Sequence, residues 1–146
     1  MGKFYQGYFK PNNPKKYKGD PTNIVYRSSW ELKFMSYLDS HKDILEWCSE
    51  ELIISYLSPI DGKRHRYFPD FWIKKRNRQG IIEVVVVEIK PHNQTMEPKV
   101  QKKLTKRYLN EVKTWGINKS KWLAAESFCK DRGWKFMVMT EKHLGI

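Results

Sequence analysis

The sequence predicts a mixed α/β fold of the α+β kind, with one mixed β-sheet flanked by helices. Three observations lead there. Residues 81–90 contain Val84-Val85-Val86-Val87, apolar on both faces, as a central covered strand requires. Segments of strand period alternate along the chain with segments of helical period. The 146 residues are 40% apolar and include six Trp, eight Tyr and seven Phe, enough for one core and too many for a disordered chain.

The elements follow in order. Residues 1–25 are rich in Gly, Pro, Asn and Lys, with Phe4, Tyr5, Tyr8, Phe9 and Tyr17 interleaved. They read as an extended N-terminal arm, and 26–146 as a single domain. A helix is expected over about 29–38. Ser28 is its N-cap, Glu31 stands at the capping-box position, and Trp30, Phe34, Tyr37 and Leu38 form its apolar stripe. No regular element is predicted over the acidic stretch that follows. Residues 52–57 read as a strand, Pro59-Ile60-Asp61-Gly62 as a hairpin turn, and about 65–75 as the returning strand. Pro69 within that strand requires an edge or a bulge. After a turn at 77–80 comes the central strand over 81–90, closed by Pro91. A basic helix is expected over about 97–112 with Val100, Leu104, Tyr108 and Val112 inward. Trp115-Gly116 reads as a loop, and a further helix spans about 120–132, with Trp122, Ala125 and Cys129 on one face and Gly133 as its stop. A last strand covers 134–140.

Several classes are excluded. No apolar run is longer than Val84 to Val87, far short of a membrane span, and no apolar leader core follows the basic start. Gln6 stands where a myristoylated Met-Gly start has Ser or Thr. The expectation is a soluble, intracellular chain with no membrane partner. Cys48 and Cys129 are too isolated for a disulfide framework or a zinc ribbon and are expected as buried, reduced thiols. The four histidines lack metal-ligand spacing, and there is no Walker-type phosphate loop.

The net charge of +12 favours a polyanion partner. Its distribution is patchy. Cations crowd residues 63–78 around Asp70 alone and 99–107 with no acid, whereas 39–51 carry five acids against Lys42. Such a chain can track phosphates on one side and present an acidic side to a protein. Arg64, His65 and Arg66 are phosphate-contact candidates, or a plain exposed strand. Lys102, Lys103, Lys106 and Arg107 either follow the DNA backbone or form a solvated helix face.

The chemistry sits in Pro69-Asp70 and Glu88-Ile89-Lys90. Glu88 and Lys90 share one face of their strand because side chains alternate, and Asp70 lies on the neighbouring hairpin strand 18 residues earlier. One hairpin thus brings two carboxylates and an ammonium together. A carboxylate ending a valine run is costly unless paired or metal-bound. Hard carboxylate oxygens suit Mg²⁺, which takes one or two protein carboxylates plus substrate phosphate. Lys90 then holds or deprotonates an attacking water, or offsets transition-state charge. Either motif alone reads as an ordinary surface salt bridge; it is their conjunction, in order and at hairpin spacing, that points to this chemistry.

This order of residues resembles the PD-(D/E)xK nuclease superfamily. Glu31 within Ser28-Ser29-Trp30-Glu31-Leu32 resembles the helix-one glutamate of the branch typified by the endonuclease subunit of Tn7-type transposons. Longer strings, Gly7-Tyr8-Phe9-Lys10-Pro11-Asn12-Asn13-Pro14, Tyr26-Arg27-Ser28-Ser29-Trp30-Glu31-Leu32 and Asp61-Gly62-Lys63-Arg64-His65-Arg66-Tyr67-Phe68-Pro69-Asp70-Phe71, resemble the head-completion family of T-even-type tailed phages. The resemblance implies a restriction-endonuclease-like fold and a DNA endonuclease acting after DNA packaging. It implies Asp70, Glu88 and the Ile89 carbonyl as metal ligands, Lys90 as catalytic lysine and Glu31 as an additional acid, its competing role being the capping box. Mg²⁺ is the implied cofactor, with Mn²⁺ substituting. Double-stranded DNA and phage head, portal or neck proteins are the implied partners of a monomer or weak dimer. The host cytoplasm during assembly, or the head–neck junction of the virion, is the implied location. The alternative is a structural DNA-binding protein of that junction with no required catalysis.

Overall fold

The computed structural model describes residues 6–145; Phe4 and Tyr5 of the arm lie outside them. The chain enters as a short strand, β1 (Gly7–Tyr8), antiparallel to β2 (Val25–Tyr26). Between the two, Tyr17 is buried edge-on to Trp47, with ring centroids 4.8 Å apart, and its hydroxyl accepts the Ser49 N–H at 3.2 Å. The buried Asp39 carboxylate accepts the N–H groups of Asn12 at 2.8 Å and Asn13 at 3.0 Å. This leading segment therefore packs on the chain's own core.

Helix α1 (Ser29–Ser40) starts where expected, with the Ser28 hydroxyl oxygen accepting the Glu31 N–H at 3.1 Å. It buries Trp30, Phe34, Met35 and Leu38. Tyr37 stays half-exposed at the margin, stacked between Phe34 and His41, so Met35 fills the inward place assigned to it. The acidic stretch then contains a strand the sequence pattern missed, β3 (Ile44–Ser49). A register shift between Ile44 and Glu46 breaks the alternation that would have revealed it. Three of the five acids of the stretch are engaged internally. Asp39 clasps the leading segment, Glu46 meets Lys74 at 3.5 Å, and Glu50 pairs with Arg27. These three are therefore not free charges, whatever the stretch as a whole meets.

β4 (Ile54–Leu57) and β5 (Arg64–Tyr67) form the expected antiparallel hairpin. The returning strand does not run on to residue 75. Pro69 has no N–H to continue the ladder, so the chain leaves one sheet after Tyr67 and enters another as β6 (Phe71–Arg76). The separation also carries Lys74, Lys75 and Arg76 away from Asp70, toward the opposite end of the sheet. β7 (Ile82–Ile89) follows the turn at 77–80.

The region expected as a helix over 97–112 is mostly irregular. A 3₁₀ turn spans His92–Thr95, and the following residues stay irregular up to Thr105. Pro98 disfavours a helix start at 97, and the cap is Thr105, whose hydroxyl oxygen accepts the Tyr108 N–H at 3.1 Å. Val100, Leu104 and Val112 face solvent rather than the core. From there α2 (Lys106–Asp131) runs unbroken through Trp115-Gly116, joining what reads as a loop and a second helix. It buries Asn118, Ala125 and Cys129 and stops at Gly133, which has φ +72°. β8 (Lys135–Met139) and the short α3 (Glu141–Leu144) complete the chain.

The main sheet has strand order β3-β6-β7-β8, antiparallel except for the parallel β7–β8 pair. A parallel pair needs a long crossover, and α2 supplies it. Met35, Leu38, Trp47, Phe71 and Val86 centre the main core. A second cluster of Ile54, Tyr56, Tyr67 and Ala125 clamps the hairpin onto α2. Cys48 and Cys129 are buried free thiols, each pushed by burial to a pKa of about 11. Among the described residues no helix is long and apolar enough to cross a membrane.

An unbroken α2 makes Gly116 a mid-helix glycine. A Cβ there meets only Pro59 Cγ, at 3.8 Å. Gly116→Ala should therefore raise stability by about 0.5–1 kcal/mol in urea denaturation. A loss of stability would contradict a continuous helix.

Candidate active site

Three neighbouring segments build one corner. The β6–β7 register pairs Phe71 with Val87, so the next residue outward on each strand puts Asp70 beside Glu88. The Ile89 N–H donates to Asp70 Oδ2 at 2.7 Å. In a strand a residue's N–H and C=O project to the same side, so the Ile89 carbonyl also faces the Asp70 edge. The next amide, Lys90 N–H, turns the other way and donates to the Met139 carbonyl at 2.9 Å. Glu88 is 7% exposed. The Tyr67 hydroxyl donates to its Oε1 at 2.6 Å, and Lys90 Nζ stands 3.8 Å from its Oε2.

Glu31 reaches the same corner from the first turn of α1. Its carboxylate lies within electrostatic range of Asp70 and accepts the Ser28 hydroxyl at 3.4 Å, so the cap and the approach to the acids coexist. At the margin Arg27 pairs with Glu50, the one described non-glycine residue with positive φ, 55°. That conformation costs roughly 1–2 kcal/mol, and it turns the Glu50 side chain out of β3 toward Arg27.

Burial and the Glu88 charge push the Asp70 carboxyl well above the usual carboxylate range. Burial raises Glu88 too, against the Tyr67 hydrogen bond and the Lys90 and Lys121 charges. Burial also raises the Glu31 carboxyl, helped by Glu50. Two like charges in one corner favour a shared proton or a hard cation. The available oxygens are the Asp70 and Glu88 carboxylates and the Ile89 carbonyl, a donor set that suits Mg²⁺ or Mn²⁺. Among the described residues no three His, Cys, Asp or Glu side chains gather into a self-sufficient metal group, so water and substrate oxygens must complete any coordination shell.

The structure adds two groups that the sequence reading missed. Tyr67 holds Glu88. Lys121 lies in α2 with Nζ 5.5 Å from the Tyr67 ring and 5.7 Å from the Tyr56 ring, facing both Glu88 and Lys90. Burial lowers its pKa, against the pull of Glu88. Its spacing from the buried Ala125 is a helical inward spacing, already present in the helix expected over 120–132, but nothing in the sequence places that face against Glu88.

The cationic candidates lie apart from the carboxylates. Arg64, His65 and Arg66 are exposed on β5, the strand that ends at Tyr67, and His65 is paired with Asp61 at 2.7 Å. Lys102 and Lys103 are exposed on the irregular segment before α2, not on a helix. Lys106 and Arg107 occupy the first turn of α2.

A mixed sheet covered by helices, with an acidic corner and a lysine two residues along the central strand, is the restriction-endonuclease-like arrangement. Residues 41–141 match the family model described as TnsA-like endonuclease N terminal, and the chain belongs to that endonuclease family. The match includes Asp70, Glu88 and Lys90 and begins after Glu31. Over 144 residues the chain is also 42% identical to the head completion nuclease of Enterobacteria phage T4, across 96% of this chain and 93% of that protein.

The acidic corner has a consequence for stability. A carboxyl with a raised folded-state pKa favours the fold in its protonated form. Its contribution is full below the unfolded pKa, near 4, and is lost as pH rises through the higher folded value. Asp70→Asn retains an acceptor for the Ile89 N–H and cannot ionise. In chelator it should stabilise the protein at pH 8 by about 1–2 kcal/mol, with a smaller gain at pH 5. Urea midpoints at the two pH values check this, and equal gains would contradict the raised pKa.

Proposed function

We propose that this chain is a divalent-metal-dependent DNA endonuclease that acts in phage head completion. One observation carries the chemistry: Asp70 and Glu88 share a corner with Lys90 Nζ 3.8 Å from Glu88. Two carboxylates and a backbone carbonyl match a hard cation that shares its shell with a substrate phosphate. When bound, such a cation supplies positive charge against the scissile phosphate and makes water a better nucleophile at neutral pH.

The residues divide the remaining work. Asp70, Glu88 and the Ile89 carbonyl hold the ion. The Ile89 N–H fixes the Asp70 carboxylate, and the Tyr67 hydroxyl fixes that of Glu88. Lys90, on the Glu88 face of the strand, positions the attacking water and offsets charge growing on the phosphoryl oxygens. Glu31 adds a further negative charge within electrostatic range of Asp70. Water attacks phosphorus, one P–O bond of the backbone breaks, and the departing oxygen takes up a proton.

Arg64, His65, Arg66, Lys102, Lys103, Lys106 and Arg107 contact the phosphates of double-stranded DNA. Their exposure and the net charge of +12 support this. The identity to the T4 head completion nuclease over nearly both chains supports the step in assembly. On this reading the chain works in the host cytoplasm during assembly, or at the head–neck junction, as a monomer or weak dimer beside head, portal or neck proteins.

The wild-type protein should cut duplex DNA with Mg²⁺ or Mn²⁺ and stop in chelator. Glu88→Gln and Lys90→Met should each lose at least about 100-fold in rate, measured by gel from plasmid and linear DNA. Cutting in chelator, or at full rate in both variants, would refute the assignment. In a separate measurement, a Lys102→Gln/Lys103→Gln double variant should flatten the slope of log affinity against log salt by about 1.8. Fluorescence anisotropy over a salt series reads that slope, and an unchanged slope removes these lysines from the DNA surface.

A further inference from the structure

A groove of about 790 Å³ lies between the first turns of α2 and the segment that follows Lys90. One wall is built by Lys106, Arg107, Asn110, Trp115 and Asn118, and the other by the 3₁₀ turn carrying Asn93. Its length along α2 from Lys106 to Asn118 is about 18 Å. Both walls lead to the acidic corner. His92, which opens the 3₁₀ turn, is two residues past Lys90. Asn118 is one helical turn before Lys121, the residue that faces Glu88.

The lining is specific in kind. Asn118 is 7% exposed, and among the described residues its amide has no hydrogen-bond partner. Its amide atoms are not sealed from solvent, so they are open to hydrogen-bond a group that enters the groove. Trp115 is partly buried and held edge-on by Trp122, with ring centroids 6.1 Å apart, so it is a fixed aromatic surface. The one carboxylate in the lining, Glu111, is held by Arg107 Nε at 3.3 Å. Cations, amides and one fixed indole together match a nucleotide strand. Phosphates take the cations, base edges take the amides, and a base face takes the indole. A duplex hides its base faces in the stack and cannot use Trp115 in this way.

We infer that this groove binds an unpaired DNA strand and leads it to the carboxylates, so that the preferred substrate is duplex DNA carrying a single-stranded tail or branch. The inference deepens the endonuclease reading and rests on it for the cutting step, though not for the binding step.

The test compares a blunt duplex with the same duplex bearing a short unpaired tail, both fluorescein-labelled, bound to the full chain in chelator at fixed salt. The tailed duplex should bind about tenfold tighter or more, as one stacked base provides. Asn110→Glu, at an exposed helix position that does not threaten folding, and Trp115→Ala should each bring the ratio close to one, while Trp115→Phe keeps most of it. Equal affinities for the two duplexes in the wild type, or a ratio unmoved by both Asn110→Glu and Trp115→Ala, would overturn the inference. A protein that prefers the tailed duplex but cuts nothing with Mg²⁺ or Mn²⁺ keeps the groove and loses the nuclease. One that cuts and binds both duplexes equally does the reverse.

Discussion

Asp70 and Glu88 stand side by side at the sheltered end of β6 and β7, and neither can ionise freely beside the other. The surrounding structure accommodates that constraint. The Ile89 N–H and the Tyr67 hydroxyl each hold one carboxylate by a short hydrogen bond. Lys90 and Lys121 supply positive charge from a strand and a helix. These groups come from three separate parts of the chain, so the corner exists only when the hairpin, the main sheet and α2 are all in place. A site that destabilises the empty protein is expected where catalytic need and folding stability conflict.

Pro69 is the hinge of this arrangement. By ending the ladder it sends Tyr67 into the hairpin and Asp70 to the head of β6, in different sheets, yet both meet Glu88. The hairpin packs through Ile54, Tyr56 and Tyr67 against Ala125 of α2. The exposed cations of β5 are therefore only one to three residues from the tyrosine that holds a site carboxylate.

Much of the fold was legible because its signals are local. The Ser28 cap, the turn at 59–62 and the valine run each announce an element through residues close together in sequence. The face shared by Glu88 and Lys90 followed from strand alternation alone. What was missed depends on tertiary context. The bulge in β3 hides its period, and packing carries α2 through Gly116 against that residue's poor propensity. Val100 and Leu104 have helical spacing, but Pro98 and the Thr105 cap place the helix start beyond them. Lys121 shares a helix face with Ala125 even in the shorter helix expected over 120–132, but a lysine there reads as solvated until the packing of the hairpin on α2 turns it toward Glu88. The acidic stretch misled in another way. Composition counts charges but does not show that Asp39 and Glu50 are already bound within the molecule.

The unbroken crossover helix also constrains how this chain can vary in evolution. Each residue on α2 is turned about 100° from the last. One residue inserted between Trp115 and Lys121 would rotate every upstream side chain off the face that looks toward Glu88. An insertion in the irregular stretch after Met96, or in the hairpin turn near Gly62, displaces nothing that touches the carboxylates. Length differences among descendants of this sequence should therefore collect in those two places, while α2 keeps a fixed length from Lys106 to Asp131, as a ruler does.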